Sequence, residues 1–151
     1  MIKTCKDYND IIPLWQEAFG DSEEDIRFFC ENVNNAECIV YCHENSIASM
    51  MYLVDCKVGE KRAKYIYAAC TFKKYKGMGY MSELINYCIK KYSDSFTLCL
   101  IPASDSLIEF YTARGIGNII DIDKITFEQS EDIKEYLLEG YNLSVPCALT
   151  D

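Results

Sequence analysis

The sequence predicts an α+β fold built on a mixed, mostly antiparallel sheet, and three observations carry that expectation. Two early stretches repeat apolar residues at helical spacing. Three strand-like runs follow, separated by very short turns, and the second half alternates helical and strand patterns. Neighbouring strands joined so briefly pair antiparallel, because a parallel crossover needs a dozen residues or more.

The elements follow in order. The opening residues read as a strand. "IIPLWQEAF" is a helix, with Asn9 and Asp10 before it, Pro13 tolerable only in a first turn, and Ile12, Trp15 and Phe19 at helical spacing. "DSEEDIRFFCENV" is a second helix: Ser22 and Asp25 are spaced as a capping box, and Ile26, Phe29, Cys30 and Val33 share a face. The runs "ECIVYCHE", "SIASMMYLVDCKV" and "AKYIYAACTF", broken at Glu44-Asn45 and Gly59-Glu60-Lys61, read as a meander. Met81, Leu84, Ile85, Cys88, Ile89 and Tyr92 mark a helix packed on a sheet. "FTLCLIP" is a strand, and "SDSLIEFYTARG" is a helix capped at Ser104 or Asp105 and stopped by Gly115. "NIIDIDKITFEQ" returns to strand alternation, as one strand or two. The remainder is expected to form a helix to Leu138 and then a loose end, which would serve as a dimer contact, a lid over substrate or the start of another domain.

Length and composition bound the function. The chain has 151 residues, half of them hydrophobic, which predicts a single domain with a real core over 1–151, its tail from about residue 130 being less typical. No apolar run is long enough to span a membrane and the opening is too polar for a secretory signal, so a cytoplasmic protein without membrane association is expected. The 9 cysteines are odd in number and lie largely in apolar stretches, as reduced core thiols do. Strand alternation turns the adjacent Cys42 and His43 to different faces, so Cys38, Cys42 and His43 are not expected to hold a metal.

The net charge of −9 argues against nucleic-acid binding. Yet Lys61, Arg62, Lys64, Lys73, Lys74 and Lys76 fall in a window from 61 to 82 that holds no acid, leaving −15 for the rest of the chain. A positive island in an acidic protein suits a small polyanion. Its loop, "KKYKGMGYMSELI", is neither a nucleotide P-loop, which needs G-x-x-x-x-G-K-[ST], nor a Rossmann turn, since position 82 is Ser where the third glycine would stand. What it offers is a basic, glycine-bearing turn before a helix N-terminus, where free amides face an anion.

Lys76-Gly77-Met78-Gly79-Tyr80-Met81, after a strand and before a helix, resembles the acyl-CoA loop [RQ]-x-x-G-x-[GA] of the GCN5-related N-acetyltransferase (GNAT) family. Lys76 stands where Arg or Gln is usual and Met81 where a small residue is usual. About 30 residues on, Tyr111-Thr112-Ala113-Arg114-Gly115-Ile116 resembles the family's Y-x-x-x-G-F signature, with Ile in place of Phe. The resemblance implies α/β/α layering, with helices on both faces of the sheet, and acetyl-CoA as cosubstrate. It implies that Lys76, Gly77, Met78, Gly79, Tyr80, Met81 and Ser82 bind the cosubstrate, and that Cys70, Thr71 and Phe72 line its acyl and pantetheine arm. Ser104 stands where the family often has an Asn that touches that arm. Tyr111 becomes the candidate to protonate the departing thiolate, its alternative being a core tyrosine beside Phe110. Tyr65 and Tyr67, on one strand face, would steer the amine or simply pack. The implied activity is acetyl transfer to a primary amine of a small molecule or peptide, by direct attack in a ternary complex. A CoA-binding sensor or interaction module with little activity is the alternative, motivated by Met81, Ser104 and Ile116.

Overall fold

The computed structural model describes residues 1–151. Strand β1 (Ile2–Cys5) leads through a short 3-10 turn, Tyr8–Asp10, into helix α1 (Ile12–Phe19). Asn9 and Asp10 lie in that turn, which Asp7 caps, while Pro13 sits in the first turn of α1 and Gly20 ends it at φ +73°. Helix α2 (Glu23–Asn32) starts where the Asp25 N–H donates to Ser22 Oγ at 3.1 Å, with Glu23, Glu24 and Asp25 at its positive end.

Strands β2 (Ala36–His43), β3 (Ser46–Val58) and β4 (Lys61–Thr71) form the antiparallel meander. Helix α3 (Tyr80–Tyr92) then carries the chain across to β5 (Thr97–Leu100), which lies parallel to β4. Helix α4 (Asp105–Thr112) is followed by Gly115 at φ +97° and by β6 (Asn118–Ile120), β7 (Ile125–Thr126), α5 (Glu131–Leu138) and β8 (Ala148–Thr150). The strands are ordered β1-β2-β3-β4-β5-β8-β6, with β7 pairing the far end of β3.

"NIIDIDKITFEQ" forms two strands, not one: a 3-10 turn at Ile122–Lys124 divides it, so that β6 pairs with β8 while β7 crosses to Lys57 and Val58 of β3. One expectation changes, for the chain's end is not loose. Ala148, Leu149 and Thr150 are buried and pair with β5 on one side and β6 on the other, because each of those strands otherwise presents an unpaired edge.

The sheet separates two cores. On one face Trp15, Ile26, Phe29 and Ile133, from α1, α2 and α5, pack on Met50, Tyr52, Val54 and Tyr65. On the other, Leu84, Ile85, Cys88 and Tyr111, from α3 and α4, pack on Met51, Leu53, Ile66 and Leu98. Successive residues of β3 thus feed opposite cores, which is why this strand reads as one continuous apolar run. No helix is long and apolar enough to cross a membrane.

Candidate active site

Strands β4 and β5 pair only at Ala63–Tyr65 with Thr97–Cys99 and then part. The parting begins next to a β-bulge: Tyr67 faces Tyr52 and Cys70 faces Met50, so Ala68 and Ala69 together oppose Met51. Ala68 takes φ +56°, a conformation that costs a residue with a Cβ on the order of 1 kcal/mol. A cavity of about 430 Å³ fills the fork. Ile66–Ala69 line it from β4, and Leu100, Ile101 and Ala103 from β5 and the turn beyond it. Trp15 and Tyr136 close it from the α1 and α5 side, and Leu107 and Tyr111 from α4. The opening therefore passes between the two cores.

Tyr111 is 8% exposed and lines this cavity, yet no hydrogen bond within the chain holds its hydroxyl. Burial, with a smaller contribution from Cys70, pushes its phenol up to about 12, so the group is protonated at neutral pH. Tyr65 is committed differently: its hydroxyl donates to the Leu137 carbonyl at 2.6 Å, tying β4 to the end of α5. Tyr67 stacks on it with ring centroids 6.4 Å apart. Both rings line the cavity wall.

The basic loop precedes α3. Gly77 and Gly79 take φ +83° and +82°, and a Cβ on either would meet nothing within 4 Å. Backbone conformation, not packing, requires glycine there, and the space before the loop is open. The N–H groups of Gly77 through Ser82 have no partner in the chain, and the first bond of the helix runs from the Glu83 N–H to the Gly79 carbonyl. Six consecutive amides and the positive end of a 13-residue helix therefore lie free. Arg114 adds a cation that sequence reasoning missed: its Nε donates to Ser82 Oγ at 2.7 Å, its Nη1 donates to the Phe110 carbonyl at 2.8 Å, and its guanidinium lies over the Phe110 ring.

The other anticipated residues divide. Lys76 and Met78 are exposed beside the glycines. Met81 points into the second core, not toward the loop, and Ile116 is fully buried in that core. The Tyr80 ring stacks on Tyr41 at 4.1 Å and its hydroxyl bonds His43, so only its backbone faces the loop. Cys70 is buried in the first core, its thiol pushed up to about 12 by burial, while Thr71 Oγ1 shares a 2.7 Å hydrogen bond with Ser49 and the Phe72 N–H donates to the Ala48 carbonyl. None of the three lines the cavity, whose β4 wall lies just upstream at Tyr65–Ala69. Ser104 is the N-cap of α4; its hydroxyl meets Ser106 at 3.0 Å, and its backbone bridges to Asn142. The consecutive alanines 68 and 69, weak strand formers inside an otherwise β-prone run, were the available signal for the bulge.

Known structures share this fold. A GCN5-related glucosamine N-acetyltransferase region in a fungal multi-domain GH3 β-N-acetylglucosaminidase aligns at TM-score 0.63 and 13% identity over 80% of this chain, which spans only 18% of that one. An aminoglycoside acetyltransferase from an uncultured soil metagenomic sample, in complex with sisomicin, aligns at TM-score 0.62 and 20% identity, covering 76% of this chain and 86% of the other. Glucosamine-6-phosphate N-acetyltransferase from Arabidopsis thaliana aligns at 0.60 and 17%, covering 78% and 91%. No curated protein matches the sequence. At these identities the structural likeness speaks for the fold. The acetyltransferase (GNAT) domain model, however, matches residues 3–119 and so takes in the meander, the bulged fork, the amide-lined loop and Tyr111: the chain belongs to the GNAT acetyltransferase family.

Proposed function

We propose that residues 1–151 act as one N-acetyltransferase domain that moves an acetyl group from acetyl-CoA to a primary amine by direct attack. The observation that carries this reading is the presence together of the open fork between β4 and β5, lined by Tyr111 with its unpartnered hydroxyl, and the loop of free amides at the start of α3, which packs on the same face as α4. In this reading the amides of Gly77 through Ser82, with Lys76 and Arg114 alongside, hold the cosubstrate's pyrophosphate. The pantetheine arm runs along β4 past Phe72, Thr71 and Cys70 and beside Ser104, bringing the thioester into the fork. The bulge at Ala68 leaves strand backbone unpaired beside the reacting carbonyl, where an N–H stabilises the developing oxyanion.

The amine lone pair attacks the thioester carbon and the carbon–sulfur bond breaks. The nitrogen gives up a proton to solvent, and the sulfur leaves as a thiolate that the Tyr111 hydroxyl meets with its proton. A phenol near 12 gives that proton reluctantly to an ordinary thiolate of about 8.5. The same apolar surroundings raise the thiol, narrowing the gap, and even a shared proton stabilises the departing charge. Against the inactive-module reading, Met81 packs on the second core and Ile116 lies buried in it.

Calorimetric titration with acetyl-CoA, followed by thiol release over a panel of primary amines, tests the proposal. Micromolar binding and amine-dependent release are expected. Absence of binding at millimolar acetyl-CoA would overturn it.

A further inference from the structure

On the α2 and α5 side the cavity opens into a groove whose character reverses. Asp21, Asp25 and Glu139 stand at the cavity wall, and Glu24, Asp132 and Glu135 continue the line outward. None of these six carboxylates forms an ion pair. The only cation of α2, Arg27, is held by Glu23, and the only cation of α5, Lys134, by Glu131, both outside the groove. Between the acids, Phe28 and Tyr136 stack at 6.0 Å and present aromatic surface to the groove. A chain that packs two acidic helix ends together without a cation between them carries repulsion that an incoming cation relieves.

The inner cavity supplies an independent indication of a ligand. Of its 19 lining residues 15 are hydrophobic, and Tyr111, itself 8% exposed, is among them with a hydroxyl that makes no hydrogen bond within the chain. We infer that the acceptor is a small linear polyamine, whose reacting amino group enters the apolar fork while a second, charged nitrogen stays between the groove carboxylates and the aromatic faces. This rests on the acetyltransferase reading above and names its substrate class.

The two halves of the site favour opposite protonation states. Desolvation in the inner cavity disfavours an ammonium, so the nitrogen that reaches the thioester is neutral and nucleophilic. The outer carboxylates favour the charged form of the distal nitrogen, and Phe28 and Tyr136 add cation–π attraction. Methylenes between the nitrogens match the apolar wall.

The test compares 1-aminobutane, 1,4-diaminobutane and the triamine spermidine by acetyl-CoA-dependent thiol release, together with direct titration of the triamine. The triamine is expected to exceed the monoamine in kcat/KM by at least about 10-fold, an advantage that shrinks with added salt. Asp25→Asn combined with Glu135→Gln, both exposed and costing folding no more than about 1 kcal/mol, should reduce that ratio and the triamine's affinity by about 10-fold while acetyl-CoA affinity stays unchanged. Equal turnover of monoamine and triamine, or a ratio indifferent to the double substitution, overturns the inference. A lysine-rich peptide turned over better than the triamine overturns it too, in favour of a macromolecular acceptor. Failure of acetyl-CoA to bind, with triamine binding intact and sensitive to the substitutions, sinks the acetyltransferase reading but leaves the polyamine groove standing.

Discussion

Tyr111 can lose its hydroxyl without losing a hydrogen bond, because none is made within the chain. Tyr111→Phe keeps the ring against Phe110, 5.3 Å away, and should leave the melting temperature and acetyl-CoA affinity nearly unchanged. If the hydroxyl meets the departing thiolate, turnover should fall by about 10² to 10⁴ in single-turnover assays. Wild-type turnover with chemistry rate-limiting would assign the proton to water instead. Gly79 offers a second test at this scale. Gly79→Ala should cost roughly 1 kcal/mol in denaturant unfolding, from φ +82° alone, since its Cβ meets no neighbour. A larger loss in acetyl-CoA affinity than in stability is the expected signature of a loop shaped for its ligand.

Among the elements, β8 decides whether the second half of the sheet exists. It supplies both neighbours with partners, and Asp151 extends the ladder: its N–H donates to the Leu98 carbonyl while its Oδ1 accepts from the Leu98 N–H. Leu149 is fully buried in the second core, so Leu149→Ala should cost about 3 kcal/mol by chemical denaturation, with acetyl-CoA binding lost only as the protein unfolds. A cost under about 1 kcal/mol would mean that the strand is marginal in solution. The segment between α5 and β8 is fastened as well: the Ser144 N–H and hydroxyl both donate to the Asp105 carboxylate, whose pKa those bonds lower, and the Asn142 N–H donates to the Ala103 carbonyl. These ties hold Gly140 and Tyr141 against the cavity wall.

The whole molecule is electrically divided, with six cations between residues 61 and 82 and unpaired acids along α2 and α5. Acetyl-CoA affinity should weaken by about 10-fold between low and 0.5 M salt, and Lys76→Glu should weaken it further. Salt-independent titrations would remove the electrostatic account of the loop. Burial of titratable groups sets a second global property. All 9 cysteines are unpaired, and burial pushes the thiols of Cys70 and Cys88 up to about 12. The unfolded chain releases these protons near pH 9 while the folded chain retains them, so stability is intact below that pH and falls as pH rises toward 12. Under reducing conditions unfolding free energy should drop by on the order of 4 kcal/mol between pH 8 and 10.5 for these two thiols. Stability independent of pH over that range would indicate that the thiols are not desolvated.

Local patterns determined most of the elements. Helical spacing from Met81 to Tyr92, the cap at Ser22, the stops at Gly20 and Gly115 and the short turns of the meander are encoded within a few residues of where they act. The glycines at 77 and 79 and the cluster of lysines marked the loop for the same reason. What only the tertiary structure decided is where strands from distant parts of the chain meet. Residues 148–150 offer too few positions for an alternation to be read, and they become a strand because β5 and β6 both lack a partner. The fork, the wall at Ile66–Ala69 and the acids drawn together from α2 and α5 depend likewise on contacts among residues far apart in sequence. Periodicity reports which face of an element is buried, but not which other element covers it.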